Sequence, residues 1–192
     1  MYFNSKAMRS IALFILLMMG INIADAQNKE ANVNVKISTI INAPADKVWE
    51  VLGQQFDDIA DWTTVVKSSK AIEKIPTHII ADPSAPIPAR ETTSENKGKT
   101  ITLVEVITEY SDENRSLKFY GDGLPGFIEF ASDKQSVIEK GPHQCVVVFE
   151  VEVRLKSVFS IFKGKVEKRF EENFKRVQND LKIYVERELV TK

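Results

Sequence analysis

From about Ile161 to Glu188 the apolar residues recur at three- and four-residue steps: Val166, Phe170, Phe174, Val177, Leu181, Val185 and, just beyond, Leu189. That spacing lays one stripe down a helix. Lys168, Glu172, Lys175, Asn179, Lys182 and Glu186 keep the same rhythm on the opposite side. Glu171 with Lys175, and Glu172 with Arg176, are i,i+4 pairs in the favourable orientation. A helix of roughly 28 residues is a rod about 40 Å long. A rod with one apolar face must lie against something broad.

The preceding stretch supplies it. Val33, Val35, Ile37, Thr39 and Ile41 alternate with polar residues, the period of a half-buried strand. Asn42-Ala43-Pro44 ends that strand and starts a helix with Asp46 in its first turn, Val48, Val51 and Leu52 facing inward and Gly53 as the expected C-cap. Phe56, Ile59 and Trp62 are spaced for a second short helix, with Asp57, Asp58 and Asp61 on its wet side. Strands are then predicted over 65–73, 89–95, 101–110, 117–120, 127–139 and 145–155. Between the first two of these, Pro76 to Pro88 holds four of the seven prolines and reads as a loop. Asn96-Lys97-Gly98-Lys99 and Lys140-Gly141-Pro142-His143 are hairpin turns.

Nearly consecutive hairpins imply one antiparallel meander of about six or seven strands. In the last, Val147, Phe149, Val151, Val153 and Leu155 share one face and Glu150, Glu152 and Arg154 the other. The sheet is therefore wet on one side, and the long C-terminal helix covers the other. A twisted sheet of that size curls as it grows, and curling around one helix leaves space between them.

Composition adds an N-terminal segment. Lys6 and Arg9, an apolar run from Ile11 to Ile23, and Ala24-Asp25-Ala26 have the layout of a signal peptide cleaved after Ala26. The run falls short of the ~20 residues a membrane helix needs, although an uncleaved anchor is the rival reading. The expected organisation is residues 1–26 as signal peptide and 27–192 as one domain, exported to a periplasm or the exterior. The full chain has 26 basic and 27 acidic residues, net −1; without Lys6, Arg9 and Asp25 the balance is 24 to 26, net −2. Interspersed charge gives no electrostatic footprint for nucleic acid or an anionic membrane. The single cysteine, Cys145, rules out an internal disulfide and shares the phase of Val147, so it reads as an inert buried thiol.

The stretch Ile41-Asn42-Ala43-Pro44-Ala45-Asp46-Lys47-Val48-Trp49-Glu50-Val51-Leu52, with Phe56 and Asp61-Trp62 after it, resembles the opening of the START-like or SRPBCC superfamily. Ala89-Arg90-Glu91, Val104-Glu105-Val106 and Leu181-Lys182-Ile183-Tyr184-Val185-Glu186 fit the same pattern, closest to the polyketide cyclase/dehydrase and lipid-transport branch. The resemblance runs from about Val33 to Leu189, and Pro76 to Pro88 is longer than is usual in the family. It implies an α+β helix-grip fold with a hydrophobic cavity between curled sheet and long helix. It also implies gate and latch loops at Ser94–Lys99 and Gly121–Gly126, which brings Leu124 and Pro125 to the ligand.

Glu105 shares a face with Ile101, Leu103 and Ile107, and the bulkier aliphatics favour that face as the inner one. A carboxylate there needs a partner or a raised pKa, and Arg90 on the neighbouring strand is the natural candidate. Trp62, Phe119, Phe130, Phe149, Phe170 and Phe174 are the candidate aromatic lining, with ordinary core packing as the competing role of each. His78 and His143 sit in turns, no nucleophile motif occurs, and no His or Cys cluster has metal-ligand spacing. No cofactor is called for.

Three functions stay open. The first is an exported protein that holds an apolar small molecule or lipid. The second is a cyclase- or dehydratase-like enzyme using Arg90 and Glu105. The third is a non-catalytic accessory protein with a partner in the cell envelope.

Overall fold

A computed structural model describes residues 32–96 and 98–190; the predicted signal segment lies outside them. The alternating positions form β1 (Asn32–Ile41), a short edge strand β2 (Ser68–Ala71), β3 (Ala89–Asn96), β4 (Lys99–Ser111), β5 (Ser116–Asp122), β6 (Ile128–Gly141) and β7 (Gln144–Leu155). All pairings are antiparallel, in the order β1-β7-β6-β5-β4-β3-β2. The meander therefore returns β7 to pair with β1, and β2 forms the far edge. β2 is shorter than the predicted 65–73.

Two short helices follow β1. The first, α1 (Ala45–Trp49), begins after Pro44, whose carbonyl accepts from the N–H groups of Lys47 at 3.1 Å and Val48 at 3.3 Å. It widens into a π turn over Glu50–Gln54. Gly53 is not the C-cap that its place in the sequence predicts; it lies inside this turn, against the Trp49 ring, where a Cβ would come within 2.4 Å of a ring carbon. Trp49 is buried and donates from Nε1 to Asp112 Oδ1 at 2.7 Å, so the ring has nowhere to go. A 3-10 turn (Phe56–Asp58) then leads into α2 (Ile59–Trp62), which buries Phe56, Ile59 and Trp62 as their spacing predicts.

After β7, a 3-10 turn (Ser157–Phe162) leads into α3 (Lys163–Val190), 28 residues long. Its stripe is buried unevenly. Val177, Leu181 and Val185 are buried, Val166, Phe170 and Phe174 are half-buried, and Leu189 is exposed. The buried half is also held by polar ties. Lys182 Nζ donates to the Ile40 carbonyl at 2.8 Å, Glu186 Oε1 accepts from the Asn42 N–H at 2.7 Å, and Asp180 Oδ2 accepts from Thr63 and Thr64. Gln178, 1 % exposed, accepts from Thr39 Oγ1 at 2.8 Å and donates toward the carbonyls of Ile37 and Val147. Glu171 pairs with Lys175 at 2.5 Å, and Glu172 lies 4.0 Å from Lys168.

The inner face of the sheet carries Val33, Val35 and Ile37 on β1, Val147, Phe149, Val151 and Val153 on β7, Val137 on β6, Leu117 and Phe119 on β5, and Ile107 on β4, all buried. The outer face is not uniformly wet. Val106 and Ala89, paired in register and out of phase with Ile107, are fully buried on that side. The proline-rich segment reaches it: Asp82 N–H donates to the Ile107 carbonyl at 2.8 Å, and Asp82 Oδ2 accepts from the Tyr110 N–H at 2.9 Å.

Gly53→Ala should lower stability by about 1–3 kcal/mol in urea unfolding, against the gain that alanine brings to an ordinary helix, because the methyl group overpacks a pinned ring. An unchanged or raised stability would show that Trp49 can move.

Candidate functional site

The register brings a polar group onto the inner wall. Arg90 on β3 stands opposite Glu105 on β4, and Arg90 Nε donates to Glu105 Oε2 at 2.6 Å. The side chains are 4 % and 16 % exposed, so the pair is shielded on the arginine side and reachable on the glutamate side. The guanidinium lies 3.8 Å from the centre of the Phe56 ring and 5.5 Å from that of Phe119, and it donates to the Phe56 carbonyl. An aromatic face, a carbonyl and a carboxylate together replace the water that a buried guanidinium gives up. The face with Ile107 is thus the inner one, and β3 holds the partner predicted for Glu105.

Two further wall residues come from β6. Phe119 pairs with Asp133, and Gln135 pairs with Phe149 across β7, so Asp133 and Gln135 face inward with Val137. Asp133 is 2 % exposed; its Oδ2 accepts from Gln135 Nε2 at 2.6 Å, and its Oδ1 has no hydrogen-bond partner. Burial pushes its pKa up to about 7, with Glu105 adding to the rise and Gln135 and Arg90 opposing it. Sequence reasoning missed both residues. The available signal was polar side chains at the inward phase of Val137, on a strand that also carries polar residues at the other phase.

The predicted aromatic residues divide. Phe56 and Phe119 touch ring to ring at 5.5 Å; Phe149 and Phe174 meet edge to face at 6.2 Å, and Phe170 stacks on Phe174 at 6.1 Å. Phe149 is fully buried within the core, whereas Phe170 and Phe174 are half-buried on the first half of α3. Trp62 is 8 % exposed and its Nε1–H has no partner. Phe130 is a correction. Its position keeps the outward phase of Ser132 and Lys134, opposite Arg154, so its ring lies on the outer face beside Tyr120 at 5.1 Å and the Arg154 guanidinium at 5.4 Å.

That outer face holds a pocket of about 560 Å³ between the proline-rich segment (His78, Ile79, Ile80) and Tyr120, Asp122 and Phe130. It lies on the opposite side of the sheet from Arg90, Glu105 and Asp133, so it is distinct from the helix-grip interior. Leu124 borders it while also packing on the core, and Pro125 accepts at its carbonyl from the Ile128 N–H at 2.8 Å. Gly123 has a φ of +77° and would place a Cβ 3.1 Å from the Thr102 carbonyl, so turn geometry alone demands glycine there. Cys145 is fully buried, and burial pushes its thiol pKa up to about 11. Among the described residues no three His, Cys, Asp or Glu side chains are placed to hold a metal ion.

The family model described as polyketide cyclase / dehydrase and lipid transport matches residues 32–186, all seven strands and most of α3. The chain belongs to this family. Solved structures place it in the same fold group. A START superfamily protein from Mycobacterium smegmatis superposes with a TM-score of 0.66 at 13 % identity, covering 81 % of this chain and 98 % of that one. The ZhuI aromatase/cyclase from Streptomyces sp. R1128 gives 0.66 at 14 % identity, covering 82 % and 96 %. At those identities the likeness establishes the helix-grip fold. Among curated proteins none matches the sequence.

A raised carboxyl pKa has a defined consequence. Folded Asp133 keeps its proton up to about 7, whereas the unfolded chain loses it near 4. Between these values unfolding releases a proton, so the contribution of Asp133 to stability falls as pH rises through that window and is level above it. Asp133→Asn should therefore raise the melting temperature at pH 8 relative to the unsubstituted protein, with the gain shrinking toward pH 4. Equal shifts at both pH values would show that the carboxyl is not held neutral by its surroundings.

Proposed function

We propose that the protein binds an apolar small molecule, such as a lipid, between the inner wall of the sheet and the first half of α3, with the polar end of the guest turned to the wall. The observation that carries this is Asp133 Oδ1, a buried polar atom without a partner, set between Phe119 and Val151 on the inner wall. Leaving such an atom unpaired costs on the order of 1–3 kcal/mol. A guest with one hydrogen-bonding group at the end of a hydrocarbon body would remove that cost and cover the half-buried Phe170 and Phe174 rings. The description of the family as lipid transport agrees with this reading. Among the described residues no helix is long and apolar enough to cross a membrane. We read the protein as exported, with residues 1–26 removed after Ala26, on the strength of the n-region, apolar run and cleavage site.

A second reading has one observation in its favour. A carboxyl group with a pKa of about 7 can give and take a proton at neutral pH, and Asp133 stands beside Arg90 and Glu105. A cyclase- or dehydratase-like reaction on the bound molecule would use that proton exchange, with Arg90 holding a carbonyl oxygen. The ZhuI neighbour is an aromatase/cyclase, which is the same class of chemistry on the same fold.

Organic extraction of protein purified without detergent should release apolar molecules in near-stoichiometric amount, identified by mass spectrometry. Recovery no higher than from an unrelated control protein of similar size would overturn the binding reading. Glu105→Gln should change the relative affinity for the recovered molecules by roughly tenfold, about the free energy of one hydrogen bond. If it lowers only the melting temperature, the Arg90–Glu105 pair is structural.

A further inference from the structure

The turn that leads into α3 leaves its apolar side chains in solvent. Val158 is 75 % exposed, Ile161 82 % and Phe162 50 %. These are the tips of a six-residue 3-10 turn, Ser157–Phe162, in which no residue is buried. The turn is not loose: the Lys156 N–H donates to the Phe127 carbonyl at 3.1 Å, the Phe159 N–H donates to the Lys156 carbonyl at 2.8 Å, and the Phe127 and Phe159 rings meet edge to face at 6.1 Å. A tied-down turn that presents three large apolar side chains outward needs a reason, because water contact with them is unfavourable.

The charges around it supply one. Residues 156–169 contain Lys156, Lys163, Lys165, Lys168 and Arg169 against one acidic residue, Glu167, net +4 in a chain whose total is −1. Lys156, Lys163 and Lys165 are exposed and bracket the apolar tips directly. Evenly mixed charge along the rest of the chain hides this cluster when composition is read as a whole. Apolar tips flanked by lysines match an anionic bilayer: the hydrocarbon inserts below the headgroups while the lysine stems reach back to the phosphates. A protein partner fits less well. Three side chains on one short turn, even with the partly exposed Phe127 beside them, fall far below the roughly 800 Å² per partner of a stable protein interface.

We propose that the Ser157–Phe162 turn is a membrane-docking lip that inserts Val158, Ile161 and Phe162 into an anionic lipid surface, with Lys156, Lys163 and Lys165 contacting the headgroups. The lip stands where α3 begins, tied to Phe127 at the end of the β5–β6 connection, next to the half-buried Val166 and Phe170. Docking there would set the less covered end of the helix-grip interior against the bilayer. The proposal rests on the exposed turn and its charges and stands whether or not the interior holds a guest.

The test places a reporter on the lip itself, so that binding by the N-terminal apolar segment of the full chain does not enter the readout. Phe162→Trp, at an already exposed position, is mixed with phosphatidylcholine vesicles with and without about one-third phosphatidylglycerol. The signal of the unsubstituted chain, which has Trp49 and Trp62, is subtracted. Anionic vesicles should shift the added emission to shorter wavelength, and brominated acyl chains should quench it. Lys156→Glu with Lys163→Glu and Lys165→Glu should raise the lipid concentration needed by about tenfold or more, since each basic residue near an anionic surface contributes appreciably to binding. An emission unchanged on anionic vesicles with which the chain sediments would overturn the proposal. So would an equal response to neutral vesicles, or a blue shift that grows with protein concentration in the absence of lipid, which would mark a contact between copies.

Discussion

The fold depends on where α3 is held. A 28-residue helix is about 40 Å long, longer than the width of sheet it can cover closely. Its burial and its polar ties concentrate in the second half. Val177, Leu181 and Val185 bury against the β1–β7 side, Gln178 reaches the backbone of both those strands, and Asp180 collects the hydroxyls after α2. Lys182 and Glu186 fasten the same half to the end of β1. Before Val177 the packing is looser: Val166, Phe170 and Phe174 lean on the core, Phe174 against Phe149, but stay half covered. The sheet continues through β6, β5, β4 and β3, so its inner wall outruns what the buried half of the helix covers. Phe56, Ile59 and Trp62, delivered by α2 and the turn before it, cover part of the remainder.

That geometry explains why polar residues are tolerated inside. Arg90, Glu105, Asp133 and Gln135 lie on β3, β4 and β6, the part of the wall that the clamped half of α3 does not reach. On β7, directly under the helix, the inward positions from Val147 to Leu155 are all apolar. Two carboxyl groups and one guanidinium share a shielded space, and only one of the carboxyls can be matched by the single cation. Glu105 takes Arg90 at 2.6 Å; Asp133, more deeply buried and repelled by Glu105, is the one driven toward its neutral form. A neutral carboxyl can donate as well as accept, so the unpartnered Oδ1 suits a carbonyl or a hydroxyl on a guest.

Much of this was legible in the residues. Period-two alternation marks the strands from β3 through β7, period 3.6 marks α3, and Pro44 marks the start of α1. The hairpin at Asn96–Lys99 puts Arg90 and Glu105 on neighbouring strands, which makes them natural partners. What alternation could not convey is phase on strands that are polar on both faces. β6 reads Ser132, Asp133, Lys134, Gln135, Ser136, and only its register against Phe119 and Val151 shows that the odd-numbered members point inward. A one-residue slip reverses every side chain. The slip between Ile128 and Phe130 did that to Ile128, which it turns inward opposite Leu155, while Phe130 keeps the outward phase of Ser132 and Lys134. Gln178 was hidden for a related reason: beside Val177 it falls within the stripe, yet its amide is buried because β1 and β7 offer backbone partners there.

The lip before α3 shows the same limit from the side of charge. A run such as Val158-Phe159-Ser160-Ile161-Phe162 looks like core when read as a string, and the lysines around it look like ordinary helix flank. Folding separates the residues of that run. Leu155 ends β7 fully inside, opposite Ile128, and Phe159 turns back to meet Phe127. The chain then has six residues in which to turn from the sheet into the helix, and a turn that short has too few neighbours to cover every side chain it carries. Polar residues at 158, 161 and 162 would serve the turn equally well, since its ties run through the backbone of Lys156 and the ring of Phe159. Apolar residues there are thus unexplained by folding, and their position between exposed lysines makes an interfacial role the economical physical account.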